Sequence, residues 1–295
     1  MKKILVLLST YNGRKFLKEQ CESIFAQTGV EVDILARDDG SSDDTYEYLK
    51  ELNVKNIIKG ENAGACGSFL ELIEKAPLTY DYYALCDQDD VWDKDKLLSA
   101  SRQLDKADPE RPALYYCGQT ITDAELNPVY VHKMDPKRSV FANCIFNQMA
   151  GCTAVFNQKL LSFLKKDKPE NIFGHDVWVY RLNAALDGSF FVDENPHISY
   201  RQHGNNVVGL SNGLKSKISR AKDYIFRYNS SDYARELIKI FPDEIKGKNK
   251  EFFEAVRDAN NSSAARKKLL RDFDINFNDK TLKLLFKIKV HLKKL

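Results

Sequence analysis

Nowhere in the 295-residue chain do 18 apolar residues follow one another, which excludes an ordinary membrane-spanning helix. The apolar opening, Ile4 to Leu8, runs at once into polar Ser9, Tyr11, Asn12 and Arg14 with no small-residue cleavage site. It therefore reads as a first buried strand of a cytoplasmic protein rather than a signal peptide. The six cysteines are scattered and form no C-x-x-C pair, so buried free thiols are expected in place of zinc ligands or disulfides. The first strand–helix turn, Thr10-Tyr11-Asn12-Gly13-Arg14, holds one glycine where a dinucleotide-binding G-x-G-x-x-G holds three. Gly64-Ala65-Cys66-Gly67 lies at the wrong turn, which argues against a dinucleotide-dependent oxidoreductase. No Ser-His-Asp or Cys-His arrangement, internal repeat or low-complexity tract is recognisable. With 43% hydrophobic and 29% charged residues, the composition is that of an ordinary globular protein.

Charge is unevenly spread. Residues 1–213 carry 24 Lys+Arg against 31 Asp+Glu, a net −7, whereas residues 214–295 carry 21 against 11, a net +10. Two parts are expected, 1–213 and 214–295. The basic part contains no nucleic-acid recognition motif and follows an acidic one, so no nucleic-acid partner is expected.

The front half alternates strand and helix signals. Apolar runs at 4–9, 30–35, 54–58 and 82–86 predict strands. Helical spacing predicts helices over 15–27, after a Ser42 cap, around 69–73 and over 94–104. This alternation predicts an α/β fold: a mostly parallel sheet with helices on both faces and ligands at the carboxyl ends of the strands. Three polar clusters belong on that rim: Thr10-Tyr11-Asn12, Asp38-Asp39 and Asp87-Gln88-Asp89-Asp90. Farther on, 113–117 and 190–192 read as strands, 158–164 and 176–186 as helices, and 214–295 as helices alone.

Asp87 and Asp89, two apart after a strand, are expected to face one pocket. Crowded carboxylates there call for a hard divalent cation bridging to a phosphate; the bland alternative is an acidic turn before a helix. Asp38-Asp39-Gly40 can receive a hydrogen bond from a base or hydroxyl, or merely form an Asx turn. Asp176 can be a general base, or only a favourable charge at a helix N-terminus. His203, in the dense polar run 200–206, can be a metal ligand, a phosphate contact or a structural histidine.

Taken in order, Ser9-Thr10-Tyr11-Asn12-Gly13, Arg37 to Asp43, Asn62-Ala63-Gly64 and Asp87 to Trp92 resemble the family 2 nucleotide-sugar glycosyltransferases, which have the GT-A fold. His175-Asp176 and Tyr200 to Asn206 are similar to its bacterial rhamnosyltransferase-like branch. The resemblance spans residues 1–210, and 214–295 match nothing known. It implies an inverting, metal-dependent transfer of a sugar to a glycan or lipid-linked glycan of the cell surface. The expected donor is dTDP-L-rhamnose, with a UDP-hexose as the alternative. By the same resemblance Thr10, Tyr11, Asn62, Gly64 and Gln88 line the nucleotide-sugar pocket. Asp39 accepts the N3–H of uracil or thymine, and Asp87 contacts the ribose or deoxyribose. Asp89 holds Mg²⁺ or Mn²⁺ with His203, and Asp176 is the base. Cys152 falls in a region associated with donor and acceptor contacts and receives no role.

In 280–295, Thr281, Leu285, Ile288, Leu292 and Leu295 form one helical stripe opposite Lys280, Lys283, Lys287 and Lys294. Such a helix either lies on an anionic membrane at the inner face of the cell or packs against preceding helices or a second subunit of a homo-oligomer.

Overall fold

A computed structural model describes residues 1–203 and 229–295. Strand β1 (Lys2–Thr10) lies between β2 (Val30–Asp38) and β4 (Tyr82–Cys86), parallel to both, and β3 (Asn56–Lys59) extends the parallel set beyond β2. Helices α1 (Leu17–Phe25), α2 (Thr45–Glu51) and α3 (Gly64–Lys75) connect these strands. The second half of the sheet is mixed. Here β8 (Val155–Asn157) runs antiparallel to β4 and to β6 (Ala113–Thr122). Next, β9 (Ser189–Arg201) runs parallel to β6, and β5 (Val91–Trp92) closes the order as an antiparallel neighbour of β9. A short strand, β7 (Pro128–His132), pairs with β6.

The side-chain alternation of β1 and β4 divides the core between the two faces of the sheet. Ile4, Val6, Leu8, Tyr82 and Ala84 face α1, α2 and α4 (Lys96–Leu104), packing among Leu17, Ile24, Leu49 and Leu97. Leu5, Leu7, Tyr83 and Leu85 face the other way, toward Phe69 of α3 and Trp178 of α7 (His175–Ala185). That side also carries α5 (Val140–Ile145), α6 (Gln158–Leu164) and the C-terminal helices α8 (Ser230–Ile240), α9 (Gly247–Asp258), α10 (Ser263–Arg271) and α11 (Lys280–His291). Leu237, Phe252 and Phe286 of these helices belong to the same buried cluster as Leu7 and Trp178. The expected boundary at 213/214 falls outside the described residues.

The first four strands form the expected parallel set flanked by helices. The whole sheet is mixed rather than mostly parallel, because β5, β7 and β8, which the sequence did not announce, all pair antiparallel. Four further differences are local. β2 continues through Arg37 and Asp38, which pair with Ser9 and Thr10 instead of forming a turn. The strand expected at 190–192 is part of a 13-residue β9 that includes Tyr200 and Arg201. Ser42 caps no helix: α2 starts three residues later, after Asp44, and Ser42 N–H is taken by Asn12 Oδ1 at 2.9 Å. Of the stripe expected along α11 and the residues after it, Leu295 is buried and Leu285 and Ile288 are half-buried, but Thr281 and Leu292 are exposed, while Phe286, Lys289 and Val290 are buried. The packed face thus takes in Phe286, Lys289 and Val290 beside the expected stripe and leaves out Thr281 and Leu292. Lys280, Lys283, Lys287 and Lys294 remain exposed, as their spacing predicts.

Candidate functional site

The parallel register carries the ends of β1, β2 and β4 to one rim, with Thr10 opposite Asp38 and Leu8 opposite Cys86. At the end of β1, buried Thr10 donates its hydroxyl to Arg37 O at 3.1 Å. Tyr11, 46% exposed, is held through its main chain. Its N–H donates to Gln88 Oε1 at 2.8 Å, and Gln88 Nε2 donates to its carbonyl at 3.0 Å. The Gln88 amide is therefore the clamp that joins the β1 and β4 loops. A Cβ on Gly13 would collide with it at 2.1 Å.

At the end of β2, the buried Arg37 guanidinium donates to Asp39 Oδ1 and to Glu71 Oε2, the latter at 2.7 Å. Asp39 Oδ1 also accepts the Ala63 N–H at 2.8 Å. This fixes the Asp39 carboxylate against the start of α3, where Asn62 Oδ1 accepts the Gly64 N–H at 3.1 Å. Gly40 lies between them with φ +76°, and a Cβ there would stand 3.0 Å from Asn62 N, so the turn demands glycine on both counts.

Past β4 the strand alternation stops at Cys86. Asp87 and Asp90 converge on Cys152, their ligand atoms all within 4.8 Å of one another. Asp89 instead meets His203, with Nε2 2.8 Å from its Oδ2. Burial, then Asp89 and Asp176, push the Asp87 carboxyl up to about 7, and burial with Asp89 and Asp87 raises Asp90 well above the carboxylate range. His203 stacks on Phe16, centroids 4.6 Å apart. Arg201 ties the loop to β9, its Nε donating to Asp89 O at 2.9 Å and its N–H to Asp90 Oδ1 at 3.2 Å. Buried Lys96 supports the loop from below: Nζ donates to Cys152 O at 2.8 Å and lies 3.1 Å from the Trp92 ring centre.

Asp176 stands in the first turn of α7. Burial pushes its carboxyl up to about 6, opposed by the N–H groups of Val177 and Asp176. Its charge reaches Asp87. Its neighbour His175 stacks on Phe69 at 3.8 Å, and burial pushes its imidazole down to about 3, so it is neutral. Gly151 leaves that ring its space, since a Cβ would lie 2.6 Å from His175 Nε2.

The rim thus gathers Thr10, Tyr11, Asp39, Asp87, Asp89, Asp176 and His203, with Asn62 and Gly64 at its α3 border. Sequence reasoning missed Glu71 and Lys96 and gave no role to Arg37, Arg201 and Cys152, all of which hold the loops. What marks them is contact between residues distant in sequence, with Arg37, Arg201 and Lys96 buried, and this is invisible in a linear pattern. Gly204, Asn205 and Asn206 lie outside the described residues. The expected facing of Asp87 and Asp89 into one pocket is not what the structure shows: Asp87 gathers with Asp90 and Cys152, and Asp89 with His203. Yet the carboxylate oxygens and imidazole nitrogen of this loop are donors that Mg²⁺ and Mn²⁺ accept. The donors fit such an ion.

The model of the family described as Glycosyl transferase family 2 matches residues 5–165. The chain is 31% identical over 249 residues to the dTDP-rhamnosyl transferase RfbG of Shigella flexneri, covering 79% of this chain and 83% of that protein. To the putative teichuronic acid biosynthesis glycosyltransferase TuaG of Bacillus subtilis it is 24% identical over 159 residues, 52% of this chain and 60% of that one. Among solved structures, S. aureus TarS 1–349 in complex with UDP-GlcNAc aligns with a TM-score of 0.59 at 15% identity, covering 99% of this chain and 82% of that one. The mannosyltransferase PcManGT from Pyrobaculum calidifontis, in complex with GDP-Man and Mn²⁺, aligns at 0.55 and 15%, covering 98% and 84%.

Proposed function

The chain belongs to glycosyl transferase family 2 and is a glycosyltransferase with the GT-A fold, and from that premise we propose that it transfers L-rhamnose from dTDP-L-rhamnose, with inversion, to a hydroxyl of a cell-surface glycan acceptor. The observation that carries this reading is the rim itself, where the charges of Asp89, which meets His203, and of the base candidate Asp176 both reach Asp87. The likeness to RfbG supports the choice of donor.

On this reading Thr10, Tyr11, Asn62 and Gly64 border the nucleotide, and Gln88 holds Tyr11 in place. Asp39, its carboxylate oriented by Arg37 and Ala63, meets the base, and Asp87 meets the deoxyribose. Asp89 and His203 hold Mg²⁺ or Mn²⁺, which when bound neutralises charge on the diphosphate leaving group. Asp176 takes the proton of the acceptor hydroxyl as its oxygen bonds to C1 and the C1–O bond to the phosphate breaks. The nucleoside diphosphate leaves with the electron pair, and one displacement inverts C1. Peripheral attachment to the inner face of the membrane, through the exposed lysines of 280–295, would bring a lipid-linked acceptor to the rim.

The test is a panel of dTDP-L-rhamnose, UDP-glucose, UDP-galactose and UDP-GlcNAc with Mn²⁺ or Mg²⁺, measuring the nucleoside diphosphate released. dTDP from dTDP-L-rhamnose is expected. Release of UDP with no dTDP overturns the donor, and release from none overturns the reading.

A further inference from the structure

Asp176 is the second residue of α7, whose N-cap is Gly174. Glycine has no side chain with which to satisfy the free N–H groups of a helix start. A residue from the C-terminal helices serves this segment instead. The buried Tyr233 hydroxyl oxygen of α8 accepts the N–H of Phe173 at 3.0 Å and of Gly174 at 2.8 Å, and its own proton points to Gly174 O at 3.4 Å. The face of the Tyr233 ring carries the Arg181 guanidinium at 4.3 Å. Arg181 belongs to α7 as well, and it donates to Ser230 Oγ, at the start of α8, at 3.0 Å. So α8 grips α7 twice, once before Asp176 and once after it. The main chain at Gly174 passes close to the carboxylate: a Cβ there would lie 2.7 Å from Asp176 Oδ1.

We propose that Tyr233 is a positioning residue of the transfer reaction, fixing the Asp176 carboxylate through the main chain of Phe173 and Gly174. The proposal rests on the reading of Asp176 as the base. It gives the C-terminal helices a part in catalysis, although none of their residues need touch the substrate. Transfer demands that the base stay within a fraction of an ångström of its proton, and a shift of about 1 Å costs about 10²-fold.

Tyr233→Phe keeps the ring and its contact with Arg181 and removes only the oxygen. With dTDP-L-rhamnose as donor, turnover should fall about 10–10²-fold while the donor KM holds. The acid limb of the pH profile should also move below about 6, the value set by burial of Asp176, as the freed carboxylate gains water. The groups facing Asp176 that shape this limb are Cys66 of α3, Asp87, Arg181 and Tyr233. Unchanged turnover and limb, or a fall matched by a rise in donor KM, overturns the proposal. Native-state hydrogen exchange on the wild-type chain is the second measurement and needs neither variant nor substrate. The Phe173 and Gly174 amides should be protected, and exchange at the rate of open amides overturns the latch. A wild-type chain that turns over no donor counts against the proposed function, while the amides judge the latch separately.

Discussion

A general base must be ionised at the working pH and still hold a proton well. Asp176, raised by burial to about 6, meets both demands near neutrality. Turnover should therefore rise with pH through about 6 and level off above it, falling about tenfold per unit on the acid side as Asp176 protonates. Asp176→Asn should keep donor binding, lower the catalytic rate by about 10²–10⁴-fold and erase that limb, as read from initial rates across pH. A collapse of donor binding with the limb intact would leave Asp176 a structural charge. Asp89 makes a different demand. Its Oδ2 is 2.8 Å from His203 Nε2, a pair that a bound cation would engage together. Asp89→Ala should abolish turnover and make nucleotide binding indifferent to Mn²⁺, measured by calorimetry with and without chelator. Both residues drew notice in the sequence, Asp89 in a run of carboxylates after a strand and Asp176 as the acid at a helix start. Lys96 was not legible, and Cys152 could be noted but given no role, because what matters about them is a contact between distant residues: Lys96 Nζ reaches Cys152 O across 56 positions of sequence.

At the scale of elements, the strands legible in the sequence were those whose burial is continuous. β1 and β4 are covered on both faces, so their apolar runs announce them and even their ends. β9 was legible only at its first residues, since much of the strand is half-buried and polar and its pairing with β6 is interrupted by bulges. Helix phase was harder than helix existence. α11 was legible as a helix, but buried Lys289 breaks the apolar pattern that would reveal its inner face. Aromatic packing fixes the C-terminal helices more firmly than their composition suggests. Phe252 of α9 stacks on Phe141 of α5 at 4.2 Å and meets Phe273 edge-on at 5.3 Å. Phe252→Ala should cost about 3–5 kcal/mol of stability, read from denaturant unfolding. Because Phe252 lies in the same buried cluster as Leu7 of β1 and Trp178 of α7, the loss should appear in one shared transition. A separate early transition of the C-terminal helices, with the sheet unmoved, would show that the cluster is not cooperative.

For the whole molecule, the basic tail poses the question of where the enzyme works. Leu295 N–H donates to Asn260 Oδ1 at 2.8 Å, and Phe286, Val290 and Leu295 are buried. Removing α11 would therefore uncover core as well as delete charge, and a truncation could not separate the two. The exposed side offers the cleaner experiment. Lys280, Lys283, Lys287 and Lys294 face outward, with Leu284 and Leu292 also exposed. Basic residues close to an anionic bilayer contribute about 1 kcal/mol each, and exposed leucines add apolar area at the acyl boundary. The full chain should co-sediment with phosphatidylglycerol vesicles, more weakly as salt rises, and hardly at all with phosphatidylcholine. Replacing the four lysines by alanine should weaken that binding by about 10²–10³-fold, the worth of roughly 3–4 kcal/mol. Donor turnover in solution should stay the same, because these side chains are not among the residues of the rim. Equal binding by both chains, or by neither, at physiological salt would leave α11 a packing helix whose lysines only meet water.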